Sequence, residues 1–125
     1  MKISESAVQK SIQQYADANP KMRLWRNNTG AYKIGSRFVR FGLCKGSSDL
    51  IGYTEVKITP GMVGKTVAVF MAVEVKKPGG VSTDLQDDFV DTVASSGGVG
   101  MIADSVDVVV ARITGYLSKM KRKVK

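Results

Sequence analysis

The sequence predicts an α/β fold in which a mixed central sheet is flanked by helices, and three observations predict it. Residues 66–77 read T-V-A-V-F-M-A-V-E-V-K-K, an apolar run rich in Val, Phe and Ala that suits a buried strand. Helical patterns with their own capping residues bracket the strand region on both sides. The chain closes with strand, helix, strand and helix, which implies a right-handed crossover and helices on both faces of the sheet.

Ser4 can cap a first helix running to about Ala18, with Val8, Ile12, Tyr15 and Ala16 at helical spacing and Asn19-Pro20 as its stop. Glu5 lies two turns before Ile12 and is expected on the core side of the first turn. A glutamate favoured there by the helix dipole is the plainer reading. Residues 22–27, M-R-L-W-R-N, read as a short strand, and Asn27-Asn28-Thr29-Gly30 as a turn. R-F-V-R-F at 37–41 is a cleaner alternating strand, with Phe38 inward and Arg37 outward. A glycine-flanked break covers 42–48. The next strand opens at Asp49 and can continue through Ile58, and Pro60-Gly61 turns into the long strand ending at Pro78-Gly79-Gly80. Thr83 caps the following helix, with Gln86 completing a capping box and Leu85, Phe89 and Val93 as its apolar stripe. Gly97-Gly98 ends that helix. V-G-M-I-A at 99–103 is a short buried strand. Ser105 caps a last helix with Val106, Val109, Val110, Ile113 and Leu117 on one side. No internal repeat or long linker interrupts the order. One domain at 1–118 and a basic tail at 119–125 are expected.

Composition narrows the chemistry. Hydrophobic content of 43% and charged content of 24% suit a soluble globular domain. No apolar run reaches membrane-spanning length, and residues 1–5 lack the core of a signal peptide, so a cytoplasmic protein is expected. The single cysteine, Cys44, excludes an intramolecular disulfide and a cysteine-cluster zinc site. The absence of histidine excludes Ser-His-Asp and Cys-His catalysis. Any metal must be held by oxygen, which favours Mg²⁺ or Mn²⁺. A net charge of +8 favours a polyanionic partner, most simply nucleic acid. The charge concentrates at 33–45, where cations alternate with aromatic and apolar residues, and in the tail K-M-K-R-K-V-K at 119–125. A solvated terminus also accounts for the tail.

At the end of the long strand stands Glu74-Val75-Lys76. Residues i and i+2 of a strand share a face, so Glu74 and Lys76 project together. Alone, this pair is an ion pair at a strand terminus. With Asp49 on the preceding strand and a helix beginning just after, it becomes a candidate metal-dependent nuclease site. The expected hairpin is centred near 61–63, which puts 49 and 74 about equally far on either side. Asp49, Glu74 and the carbonyl of Val75 would ligate a divalent cation, and Glu5 could reach it directly or through water. Lys76 would orient or deprotonate the attacking water. Gln86 could hold the water, Lys76 or a phosphate, or else serve the capping box, but one side chain is not expected to do both. A second E-x-K, Glu55-Val56-Lys57, lies about 20 Å along the strand from Asp49 at ~3.3 Å per residue and cannot share a metal with it. T-P-G-M-V-G-K-T at 59–66 imitates a phosphate-binding loop, but its first glycine position is Thr59 and a strand follows where a helix is needed.

W-R-N-N-T-G at 25–30, R-F-G at 40–42, G-S-S-D-L-I-G at 46–52, V-E-V-K at 73–76, S-T-D-L-Q-D-D-F at 82–89 and G-G-V-G-M-I-A-D-S at 97–105 together resemble the VRR-NUC domain of the PD-(D/E)xK nuclease superfamily. The resemblance covers nearly the whole chain. It implies a restriction-endonuclease-like αβββαβ core and Mg²⁺- or Mn²⁺-dependent phosphodiester hydrolysis. It puts Asp49, Glu74 and Lys76 at the catalytic positions, Glu5 at the first-helix acid and Gln86 at the helix glutamine. Ser48 stands where the superfamily's name has proline, and this residue is not a ligand. Small virus-type members are similar in build to dimeric Holliday-junction resolvases, so a homodimer cutting branched DNA is expected by analogy. The rival expectations are a non-catalytic nucleic-acid-binding domain on a nuclease fold and a basic structural protein. The intact set Asp49, Glu74 and Lys76 separates the first reading from both.

Overall fold

A computed structural model of the chain describes residues 2–121, so the end of the expected basic tail, 122–125, lies outside the described residues. The fold is mixed α/β, with three helices and small sheets. It divides into two compact units, Met1–Val56 and Lys57–Lys125.

The first unit opens with α1, Glu5–Asp17. The Ser4 hydroxyl accepts a hydrogen bond from the Ala7 N–H at 3.1 Å, which satisfies one of the free donors at the helix start. Strand β1, Met22–Arg26, pairs antiparallel with β4, Leu50–Thr54, in the register Met22↔Thr54 through Arg26↔Leu50. Between them stands a hairpin of β2, Gly30–Ile34, and β3, Arg37–Phe41. Its two-residue turn, Gly35-Ser36, puts Gly35 at φ +59°, a backbone state open to glycine at little cost. The sequence reading missed β2, although Gly-Ser between two alternating runs is a hairpin signal.

The second unit begins with a short 3₁₀ turn, Pro60–Met62, and continues through β5, Met71–Val75, α2, Asp84–Ser95, β6, Val99–Ala103, and α3, Val106–Met120. β5 and β6 are parallel, from Met71↔Val99 to Val75↔Ala103, with α2 as the crossover helix. The capping expectations at Thr83 and Ser105 hold: the Thr83 hydroxyl accepts from the Gln86 N–H at 3.2 Å, and the Ser105 hydroxyl from the Val108 N–H at 3.3 Å. Val99, Met101 and Ala103 are buried against Val108, Val109, Ile113 and Tyr116 of α3. The opposite face of β6 meets α2. A Cβ placed on Gly100 would lie 2.0 Å from the Val90 carbonyl oxygen, so only glycine lets the helix approach this closely.

Several expectations about faces and bounds are corrected. Phe38 points out, at 72% exposure, and Val39 is the half-buried member of β3. In α1, Val8, Ile12 and Tyr15 are exposed and Ala16 alone is buried. Glu5 is likewise exposed rather than turned to a core. In α2, Leu85 is 82% exposed, and Val90 joins Val93 in the core instead. The long strand expected over 67–77 is regular only at Met71–Val75, and β4 ends at Thr54 rather than Ile58. Helix α3 runs through Met120, past the expected start of the tail.

Candidate functional site

Glu74 is the fourth residue of β5, and Lys76 lies just past the strand's end. The Lys76 N–H donates to the Ala103 carbonyl at 2.9 Å, so pairing with the β6 side continues to this residue and fixes where its side chain starts. The period of two then puts both side chains on one face. Lys76 Nζ lies 3.4 Å from Glu74 Oε1, with the side chains 21% and 31% exposed respectively. A half-buried pair of this kind is screened less than a surface one.

Helix α2 brings the third member. Gln86 Nε2 donates to the same Glu74 Oε1 at 2.7 Å. At its other end, Gln86 Oε1 accepts from the Thr83 N–H at 3.0 Å. This corrects the expectation that capping and the site compete for one side chain. A carboxamide has a donor end and an acceptor end, and each role takes one. The capping box thus aims the Gln86 amide nitrogen at Glu74. In the loop before α2, Ser82 Oγ donates a short hydrogen bond to Asp87 Oδ1, which ties the loop to the first turn.

Both contacts to Glu74 fall on Oε1. Oε2 has no hydrogen-bond partner among the described residues, which leaves a half-buried carboxylate oxygen as a hard donor of the kind Mg²⁺ and Mn²⁺ prefer. Val75, whose carbonyl is an expected ligand, closes β5. Within neither unit do three or more His, Cys, Asp or Glu side chains gather as a metal cage, among the described residues.

Asp49 and Glu5 belong to the first unit. Asp49 sits immediately before β4, and its carbonyl accepts from the Asn27 N–H at 2.8 Å. Its side chain is exposed. The sequence puts Asn27 at the end of a strand and the start of a turn, and the structure adds that its side chain organises the loop that leads to Asp49. Asn27 Nδ2 donates to Ser47 Oγ at 2.7 Å and to the Ser48 carbonyl at 3.0 Å, and Asn27 Oδ1 accepts from the Leu43 N–H at 3.1 Å. Ser47 Oγ in turn donates to the Cys44 carbonyl at 2.7 Å. The signal for this was an Asn at a strand end followed by a glycine-flanked, serine-containing break. Glu5, in the first turn of α1, makes no side-chain hydrogen bond or ion pair among the described residues.

The structure therefore brings Glu74, Lys76 and Gln86 together, and it places Asp49 on a loop braced by Asn27. No helix among the described residues is long and apolar enough to cross a membrane. Residues 3–110 match the family model described as VRR-NUC domain. No curated protein and no solved structure matches the chain.

Proposed function

The chain belongs to the VRR-NUC domain family, whose function is of nuclease type, and we propose that it is a divalent-metal-dependent DNA endonuclease selective for branched DNA. The observation that carries this reading is the joint hold of Gln86 and Lys76 on one oxygen of Glu74, with the other oxygen left open. A carboxylate needed only for an ion pair does not require a helix glutamine aimed at it.

The reading takes the elements as an αβββαβ core of restriction-endonuclease type. Asp49, Glu74, the Val75 carbonyl and Glu5 would hold Mg²⁺ or Mn²⁺. Such an ion supplies Lewis-acid stabilisation of the charge that develops on a phosphate under attack. The chain's own side chains do the rest. Gln86 and Lys76 both hold Oε1 of the Glu74 carboxylate, which leaves Oε2 for the ion. Lys76, anchored through its backbone on β6, holds its amino group beside that carboxylate. As an ammonium it can orient the attacking water or give a proton to the leaving ester oxygen, and as the free amine it can take the proton from that water. Water adds to phosphorus and the bond to the leaving ester oxygen breaks. Positive charge spread over the chain holds the DNA backbone, and a homodimer would present one site to each of two strands of a junction.

The test is incubation of the protein with plasmid and with a four-way junction in Mg²⁺, Mn²⁺ or EDTA. Cleavage with either metal and none in EDTA is expected, with the junction cut in preference to linear duplex. Glu74→Ala or Asp49→Ala should lose roughly 10³-fold or more of the rate, as expected when transition-state charge stabilisation is removed. DNA binding should survive in both, because it comes mainly from distributed charge. Full activity in either variant would sink the site. A monomer by light scattering that cuts duplex and junction equally would leave a general nuclease in place of a junction-selective one.

A further inference from the structure

The β2–β3 hairpin has two unlike faces. On one, Tyr32 and Phe41 stack against each other at a centroid distance of 6.3 Å. The Phe41 ring also lies over Gly30, its cross-strand partner, so close that a Cβ there would meet the ring at 2.4 Å. These two rings are committed to each other and to the backbone. On the other face, Phe38 stands directly across from Lys33, and Arg40 lies two residues along the same strand. All three are exposed. Phe38 has no aromatic partner among the described residues.

We infer that this face, Lys33, Phe38 and Arg40, is a platform on which one unpaired DNA base stacks. The inference deepens the proposed function and rests on it for the identity of the polymer. A free aromatic ring with one cation across the ladder and another along its own strand matches a nucleotide in an unpaired strand: the ring takes the base face, and the cations take neighbouring phosphates. A fully paired duplex offers these residues only phosphates, because its base faces are already stacked. Lys33 and Arg40 therefore serve any DNA, while Phe38 serves DNA with an exposed base, such as a single strand, a flap or a junction centre. Phe38 is thereby a specificity residue and takes no part in the chemistry.

The experiment measures binding in EDTA, so no cleavage is needed. The 125-residue chain is titrated onto a single-stranded oligonucleotide carrying 2-aminopurine and onto a blunt duplex of equal length. Wild-type protein should bind the single strand and change the 2-aminopurine emission. Phe38→Ala should weaken single-strand binding by roughly 5- to 150-fold, the affinity equivalent of one lost base–aromatic stack. It should leave duplex binding nearly unchanged, and Phe38→Trp should keep both the affinity and the emission change. Lys33→Ala and Arg40→Ala should weaken binding to both DNAs and lessen its salt dependence. Equal loss on both DNAs from Phe38→Ala, or no loss on the single strand, overturns the platform. So does a change in oligomeric state with single-strand affinity retained, which would make Phe38 a protein contact. If stacking holds and no DNA is ever cleaved, the platform stands and the nuclease reading falls.

Discussion

Both units expose large apolar residues, and they differ in how much they bury. In Lys57–Lys125, β6 has helices on both faces, and Val90, Val93, Val99, Met101 and Ala103 are buried there. Among the described residues of Met1–Val56 only Ala16 is buried, and the β2–β3 hairpin leaves Tyr32, Ile34, Phe38 and Phe41 exposed. The division matches what each unit has to hold. Under the proposed function, Glu74, Lys76 and Gln86 must keep fixed distances, and they hang from the packed parallel pair and its crossover helix. Under the proposed stacking platform, the hairpin's cations and ring must meet a large, variable polyanion, and they stand exposed on a two-stranded ribbon. A packed support fixes geometry, and an exposed one gives access.

The comparison breaks most directly at Gly100. Gly100→Ala puts a methyl group onto the Val90 carbonyl and forces α2 off the sheet. Overpacking of this kind costs roughly 1–3 kcal/mol, occasionally more. Thermal unfolding should drop by about 4–8 °C per kcal/mol, on the scale of a small domain. Because α2 carries Gln86, cleavage should fall with it, while binding of DNA through the hairpin should be much less affected. A variant with unchanged melting temperature would show that α2 does not need this close approach.

A smaller effect sharpens the account of the site. Gln86→Glu keeps an oxygen for the Thr83 N–H but sets a second carboxylate against Glu74 Oε1. The helix should stay capped, and circular dichroism should show no loss. Activity or apparent Mg²⁺ affinity should drop roughly 10- to 100-fold, the usual effect of losing a group that orients a ligand. Gln86→Ala should lower activity as well and also loosen the helix start. If Gln86→Glu were as active as wild type across a Mg²⁺ titration, the glutamine would be a cap and nothing more.

Local hydrogen-bond logic was legible in the sequence, and long-range covering was not. Ser4, Thr83 and Ser105 announce their helices because a cap and its N–H partner lie within three residues of each other. Glu74 and Lys76 fall on one side because a strand's period is two. Apolar spacing, in contrast, marks a face without saying what covers it. Leu85 continues the stripe of α2 yet is exposed, while Val90 is buried because Gly100 leaves room beneath it. Phe38 has the same pattern as an inward residue and is exposed. The double role of Gln86 needed a distance, since only the approach of α2 to β5 reveals that one amide spans both partners. The role of Asn27 needed the loop at 43–48 to fold back on it.

The smallest expected effect is at Lys65, inside the stretch that imitates a phosphate-binding loop. Such a loop works when successive backbone N–H groups and a helix N-terminus converge on a phosphate. Here Pro60–Met62 is a 3₁₀ turn, and the Lys65 N–H is already committed to the Met62 carbonyl at 3.0 Å. Gly64 turns the chain with φ +84°, and the next regular element after Thr66 is β5, a strand. The Lys65 side chain is exposed. Lys65→Ala should therefore leave melting temperature and cleavage rate as they are, and change DNA affinity only by the small share of one surface cation. Isothermal titration with ATP and Mg²⁺ should show no heat of binding for either protein. Saturable ATP binding by the wild-type chain, lost in Lys65→Ala, would mean that these backbone groups rearrange around a nucleotide and that the second unit is less fixed than its packing implies.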